Sequence, residues 1–161
     1  MLPEIAAENP TALAIHQQMP EAITGAKIEV DGLVLEIAQS YIVPVCRYLK
    51  ELAGFERLSA VTAVDWWPRE PRFEVVYFLH SLKHNVRLRL IARLRGGDAL
   101  DSVSNVWRGA NWYEREVFDL FGIEFRGHPN LERILMPADW EGHPLRRDYP
   151  IHGHKYSYQE E

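Results

Sequence analysis

The sequence predicts an α+β fold: an antiparallel sheet of about five strands with packed helices, followed by an extended carboxyl-terminal arm. Three observations carry this expectation. Short hairpin connections separate runs of alternating apolar residues, which implies antiparallel pairing. Helical periodicity is confined to brief segments. Pro129, Pro137, Pro144 and Pro150 then recur every six to eight residues, which rules out another ordinary helix after Gly122.

The elements follow in order. Residues 10–19 carry a short helical pattern. Ile28 and Val30 then alternate with Lys27 and Glu29, and Asp31-Gly32 precedes alternating Leu33, Leu35 and Ile37, a strong hairpin signal. Ser40 is placed to cap a helix over about residues 41–53, with Pro44 tolerable in its first turn, Val45, Leu49 and Leu52 on one stripe, and Gly54 ending it. Cys46, beside that stripe, reads as a small buried hydrophobe. Strand patterns follow at about 58–66, 72–82 and 86–95. In the last, Val86, Leu88, Leu90, Ala92 and Leu94 alternate with Arg87, Arg89, Ile91, Arg93 and Arg95. A two-residue turn at His84-Asn85 would set Val75 opposite Leu94, Tyr77 opposite Ala92 and Leu79 opposite Leu90, with Glu74 facing Arg95 and His80 facing Arg89. Gly96-Gly97-Asp98 is a flexible exit that lacks the lysine and remaining glycines of a phosphate loop.

A helix is expected over 111–121, with Asn111 as N-cap, Glu114 completing a capping box and Gly122 taking the left-handed C′ position. Tyr113, Val117, Leu120 and Phe121 share one face, and Arg115, Glu116 and Asp119 share the opposite one, which would be free to bind. Beyond it, Leu131, Leu135, Met136, Trp140, Leu145 and Tyr149 are too apolar for a disordered linker. The expected organisation is therefore an α+β domain over 1–125 and an arm over 126–161 that packs partly on partner subunits.

With 161 residues the chain suits one domain, and its 47% hydrophobic and 25% charged content is ordinary globular composition. A net charge of -5 argues against a general binder of nucleic acid or anionic membrane. Neither a secretory signal nor a bilayer-length apolar run is visible, so a cytosolic or peripherally attached protein is expected. One cysteine cannot hold an iron–sulfur cluster, which typically takes four thiolates.

Glu114-Arg115-Glu116, Asp119, Gly122-Ile123, His128-Pro129, Arg133-Ile134-Leu135, Pro137, Trp140, Gly142-His143-Pro144-Leu145-Arg146 and Asp148-Tyr149-Pro150 together closely resemble the signature of the 30 kDa subunit family, the C subunits of proton-pumping NADH:quinone oxidoreductase, respiratory complex I. Val64-Asp65-Trp66 and the hairpin from Phe73 to Leu90, with Ser81-Leu82-Lys83-His84-Asn85, also look like that family. Glu132 departs from it, standing where a basic or proline residue is usual. The resemblance implies a non-catalytic structural and assembly component of the peripheral arm, with subunits B, D and I as neighbours, of which D binds quinone. It would lie on the cytoplasmic face of the cell membrane. FMN, iron–sulfur clusters, NADH and quinone would be bound by other subunits and none by this chain. A membrane-bound hydrogenase or a photosynthetic relative of complex I is the alternative parent, and a standalone RNA- or ligand-binding module the alternative of another class.

The remaining chemistry fits this expectation. Glu114 and Glu116 diverge by about 200° on a helix and make a poor acid/base pair. His128, His143, His152 and His154 lack metal-ligand spacing; the first two suit hydrogen bonds that fix the tail. The cluster Arg146-Arg147-Asp148, with Trp140 and Tyr149 as anchors, suits either recognition of a partner or closure of the arm on its own domain. The arginine strand suits a solvated or protein-contacting face better than RNA, because Phe78 is its main aromatic neighbour.

Overall fold

The computed structural model describes residues 2–30 and 32–152. Asp31 of the expected Asp-Gly turn and His154 lie outside the described residues. Two short helices, α1 (Glu4–Ala7) and α2 (Pro10–Gln18), lead into β1 (Ile23–Glu29) and β2 (Gly32–Ile37). Asn9 caps α2 by accepting from the Thr11 and Ala12 amides at 2.9 and 3.2 Å. A single 3-10 turn precedes α3 (Ile42–Glu51), after which come β3 (Arg57–Asp65), β4 (Phe73–Ser81), β5 (Val86–Leu94) and β6 (Ala99–Asp101). α4 (Ala110–Phe121) and β7 (Glu124–Arg126) follow, and the described residues beyond them run as an irregular arm.

The α+β class and the five main strands agree with expectation, but the sheet is mixed. Its order is β1-β2-β5-β4-β3, and β2 runs parallel to β5. The hairpins fix only neighbours in sequence; the two hairpin units are joined by the parallel β2–β5 pairing, with α3 lying between β2 and β3 in the chain. β6 and β7 add a parallel two-stranded ladder where only irregular chain was expected.

Two further expectations shift. The β4–β5 connection spans Leu82 to Asn85, so Val75 faces Ala92, Tyr77 faces Leu90 and His80 faces Arg87. Asn85 takes a left-handed φ of 51°, and the His84 amide donates to Ser81 Oγ at 3.3 Å. A slip of two leaves the pleat parity intact, which is why the apolar face survives. Ser40 does not cap α3. It lies inside the 3-10 turn Gln39–Tyr41, whose backbone leads directly into the helix, and no side-chain cap bond forms.

One core lies between the sheet and the helices. Leu35, Ile37, Val45, Cys46, Leu49, Val75, Tyr77, Leu79, Leu90, Leu94, Val117 and Phe121 are all buried in it, and a fully buried aliphatic or aromatic side chain contributes roughly 1.5–3 kcal/mol. The opposite sheet face holds only a small separate cluster of Val34, Val76 and Ile91.

Candidate docking surface

An α-helix leaves its last four carbonyls without partners inside the helix. In α4 these belong to Phe118, Asp119, Leu120 and Phe121. The Gly122 amide donates to Phe118 O at 2.8 Å. The arm serves the other three: His143 Nδ1 donates to Asp119 O at 2.9 Å, the Leu145 amide to Leu120 O at 3.0 Å, and Arg146 Nε to Phe121 O at 2.6 Å. The Arg133 and Arg146 guanidinium groups also stand at the negative end of the helix dipole. Gly122 makes this closure possible. Its φ is 71°, and a Cβ there would stand 2.5 Å from the His143 ring and closer still to Arg146.

Asp119 is the second anchor. Its fully buried carboxylate accepts from Arg133 at 2.8 Å and from the amides of Ile134, Leu135 and Met136 at 3.0, 2.7 and 2.9 Å. Burial works against its charge, but the three amides and Arg133 outweigh that and hold the carboxyl below its usual range. Arg133 also donates to Gly142 O at 2.9 Å, which joins two parts of the arm.

The far end of the arm is tied to the sheet through Asp65, at the end of β3. Arg72 grips Asp65 with two bonds of 2.9 and 2.8 Å, and the amides of Trp67 and Arg147 donate to the same carboxylate at 3.0 and 2.9 Å. Burial opposes the Asp65 charge, and these donors overcome it to lower its pKa. Arg72 reaches on to Asp148 at 2.6 Å. Arg72 and Arg146 lie over the Phe73 ring at 4.8 and 5.5 Å.

Glu114 does not form a capping box. The Ala110 and Asn111 amides are already bonded to Trp107 O and Arg108 O at 3.0 and 3.2 Å, so the helix start has no need of an Asn111 cap. Packing against β3 turns Glu114 inward, where it accepts from Ser102 Oγ at 2.5 Å and the Val103 amide at 2.7 Å. Burial lifts its carboxyl to about 7, against the pull of those two donors. The unfolded chain sheds this proton near 4.5 while the folded chain keeps it to about 7. Stability is therefore lost as pH rises through that window, by up to roughly 3 kcal/mol. Urea unfolding at pH 5 and pH 8 is expected to show the wild type losing stability relative to Glu114→Gln. Parallel pH profiles for the two proteins would remove the raised value.

The other signature residues sort into inward and outward groups. His128 accepts from the Asn130 amide through Nδ1, so its Nε2 carries the proton donated to Asn111 O at 3.1 Å. Arg115 donates to Glu132 O at 3.0 Å and stacks on Trp112. Of the helix face expected to be free, Asp119 is buried, Arg115 half-buried and Glu116 alone exposed. Trp140, Pro144 and Tyr149 are half-buried, whereas Pro129, Pro137 and the Arg147 side chain lie exposed. Arg146 and Asp148 thus close the arm on its own domain. The outward anchors are different residues: Trp112 (62% exposed), Leu135 (58%), Leu145 (52%) and Ile151 (97%), beside Trp67 (45%) at the Asp65 hub. Arg72 and the Ser102-Val103 loop carried no local sequence signal, because their role arises only when distant segments meet.

Among the described residues, no group of three His, Cys, Asp or Glu is arranged to hold a metal ion. The profile of the family described as "Respiratory-chain NADH dehydrogenase, 30 Kd subunit" matches residues 35–155. Among the C subunits of NADH-quinone oxidoreductase, that of Geobacter sulfurreducens is 42% identical over 151 residues, covering 92% of this chain and 93% of that protein. Its counterpart in Roseiflexus castenholzii is 43% identical over 152 residues, covering 91% and 87%. Among solved structures, a chain of the membrane-bound sulfane sulfur reductase, an archaeal respiratory membrane complex, superposes with a TM-score of 0.75 at 27% identity, over 92% of this chain and 87% of that one.

Proposed function

Because the chain belongs to the family of the 30 kDa subunit of respiratory-chain NADH dehydrogenase, we propose that it docks its neighbours in that complex through the surface built jointly by α4 and the arm. It is a peripheral-arm subunit of complex I, part of an enzyme that carries electrons from NADH to quinone, and its membrane association comes through the complex. Among the described residues no helix is long and apolar enough to cross a membrane. The standalone RNA-binding reading is not favoured.

The observation that carries the docking surface is a contrast within one segment. Asp119, Arg133 and Arg146 are turned inward and Arg72 takes up Asp148, which together fix the arm, while Leu135, Leu145 and, just beyond, Ile151 stay in solvent. Ordering an arm so firmly and leaving its apolar groups exposed makes sense if they are buried later. The quinone-binding subunit is the partner assigned to this surface, with subunits B and I as further neighbours and the cytoplasmic face of the membrane as its setting; the family resemblance supports that assignment. The signature residues Glu114, Asp119, Gly122, His128, Arg133, His143 and Arg146 then act by shaping the surface rather than by touching the partner.

The chain itself binds no flavin, iron–sulfur cluster, NADH or quinone; other subunits hold them. Cys46, its single thiol, is fully buried, and that burial, helped by the nearby Glu114 charge, pushes its pKa far up and away from the thiolate a cluster requires. The purified chain is expected to show neither flavin nor cluster absorbance and no NADH oxidation, yet to form a stable pair when co-expressed with the quinone-binding subunit. A stoichiometric cluster on the chain alone, or failure to pair, would count against this reading.

A further inference from the structure

The sheet face opposite α3 and α4 carries a groove of about 530 Å³ where β3 and β5 begin and β4 ends. Strand register sets Arg57 opposite His80, and His80 opposite Arg87, in one row across three strands. Arg57 and Arg87 thus flank His80 on one face of the sheet, two guanidinium groups with a histidine between them. Elsewhere on this face carboxylates answer the arginines: Arg89 pairs with Glu29, and Arg93 with Glu36 at 2.9 Å. Among the described residues lining the groove there is no carboxylate. Arg57 and Arg87 are exposed, and His80 Nε2 is buried without a hydrogen-bond partner. The floor is apolar, with Val34 and Phe78 beside the basic row.

We propose that this groove docks an extended acidic segment of a neighbouring subunit, its carboxylates on Arg57 and Arg87, a hydrogen-bonding group at His80 Nε2 and its apolar side chains on Phe78 and Val34. Charge complementarity with an open row of arginines selects an anionic partner, and the apolar floor selects a peptide over a bare phosphate. The Arg89 guanidinium lies 4.8 Å from the Phe78 centroid and covers one face of that ring, leaving a poor platform for stacking bases. The groove lies on the other side of the sheet from the α4 and arm surface, so the two docking sites stand or fall separately.

In the assembled complex, Arg57→Lys and Arg87→Lys keep the charge while supplying amines that a water-soluble carbodiimide can couple to carboxylates. Peptide mapping is expected to find both positions joined to aspartates or glutamates in one stretch of a neighbouring subunit. Arg57→Glu with Arg87→Glu should weaken binding of the full chain to the rest of the complex by about tenfold or more, with unchanged circular dichroism. Coupling confined to this chain's own acids, or unchanged affinity of the charge-reversed variant, overturns the proposal. Binding of inorganic phosphate or phosphatidylglycerol vesicles that the charge reversal abolishes also overturns it, by assigning the groove to a phosphate.

Discussion

Asp119→Ala is expected to lower the stability of the chain by about 3 kcal/mol, since removing one partner from a buried, hydrogen-bonded charge set commonly costs ~3–5 kcal/mol and Arg133 retains some access to water. Three amides and one guanidinium lose their acceptor at once. Urea unfolding measures the loss, and hydrogen exchange locates it. Protection at Ile134, Leu135 and Met136 should collapse while the amides of β4 and β5 stay slow. Acid should imitate the substitution. The depressed carboxyl stabilises the fold above the ordinary aspartate range near 3.9 and loses that contribution as pH falls through its lower folded value. Uniform loss of protection across the sheet, or a stability change under about 0.5 kcal/mol, would mean the arm is not anchored at Asp119.

Truncation after Phe125 is expected to abolish capture by the quinone-binding subunit and to destabilise what remains. The loss removes all four Asp119 partners, the His143, Leu145 and Arg146 caps of α4 and the Arg147 amide on Asp65. A helix end stripped of such partners frays. Arg146 and Arg147 should behave differently from each other. Arg146→Ala unseats the arm from Phe121 O and from the Phe73 ring, whereas Arg147→Ala removes an exposed side chain and keeps the backbone amide that Asp65 uses. Pull-down with the quinone-binding subunit, alongside circular dichroism, reads both effects. Full capture by the truncated chain would place docking elsewhere.

Much of the fold was legible because short-range patterns determine it. Alternation over Val86 to Leu94 set strand and face, and Gly122 marked the helix end by the φ it had to adopt. What was not legible depended on pairing between distant segments. No local pattern distinguishes a β2 that runs parallel to β5 from one that closes a meander. Glu114 shows the same limit: three residues after Asn111 it fits a capping box, and only the approach of Ser102 and Val103 makes it a buried acceptor. The arm's composition showed that it had to be covered, but apolar content cannot say which side chains turn inward. Trp140 and Tyr149, the larger anchors, went partly under cover, while Leu135 and Leu145 stayed outside.

Leu135 and Leu145 therefore provide the most direct test of docking through this surface. Both are more than half exposed and neither side chain belongs to the buried core, so Leu135→Asp with Leu145→Asp should leave circular dichroism and urea midpoint unchanged. The measurement is the affinity of this variant for the quinone-binding subunit by titration of the purified proteins. A loss of about tenfold or more is expected, as when charge is forced into an apolar contact. Wild-type affinity in the folded variant would contradict docking here and show that α4 and its arm are ordered for another reason.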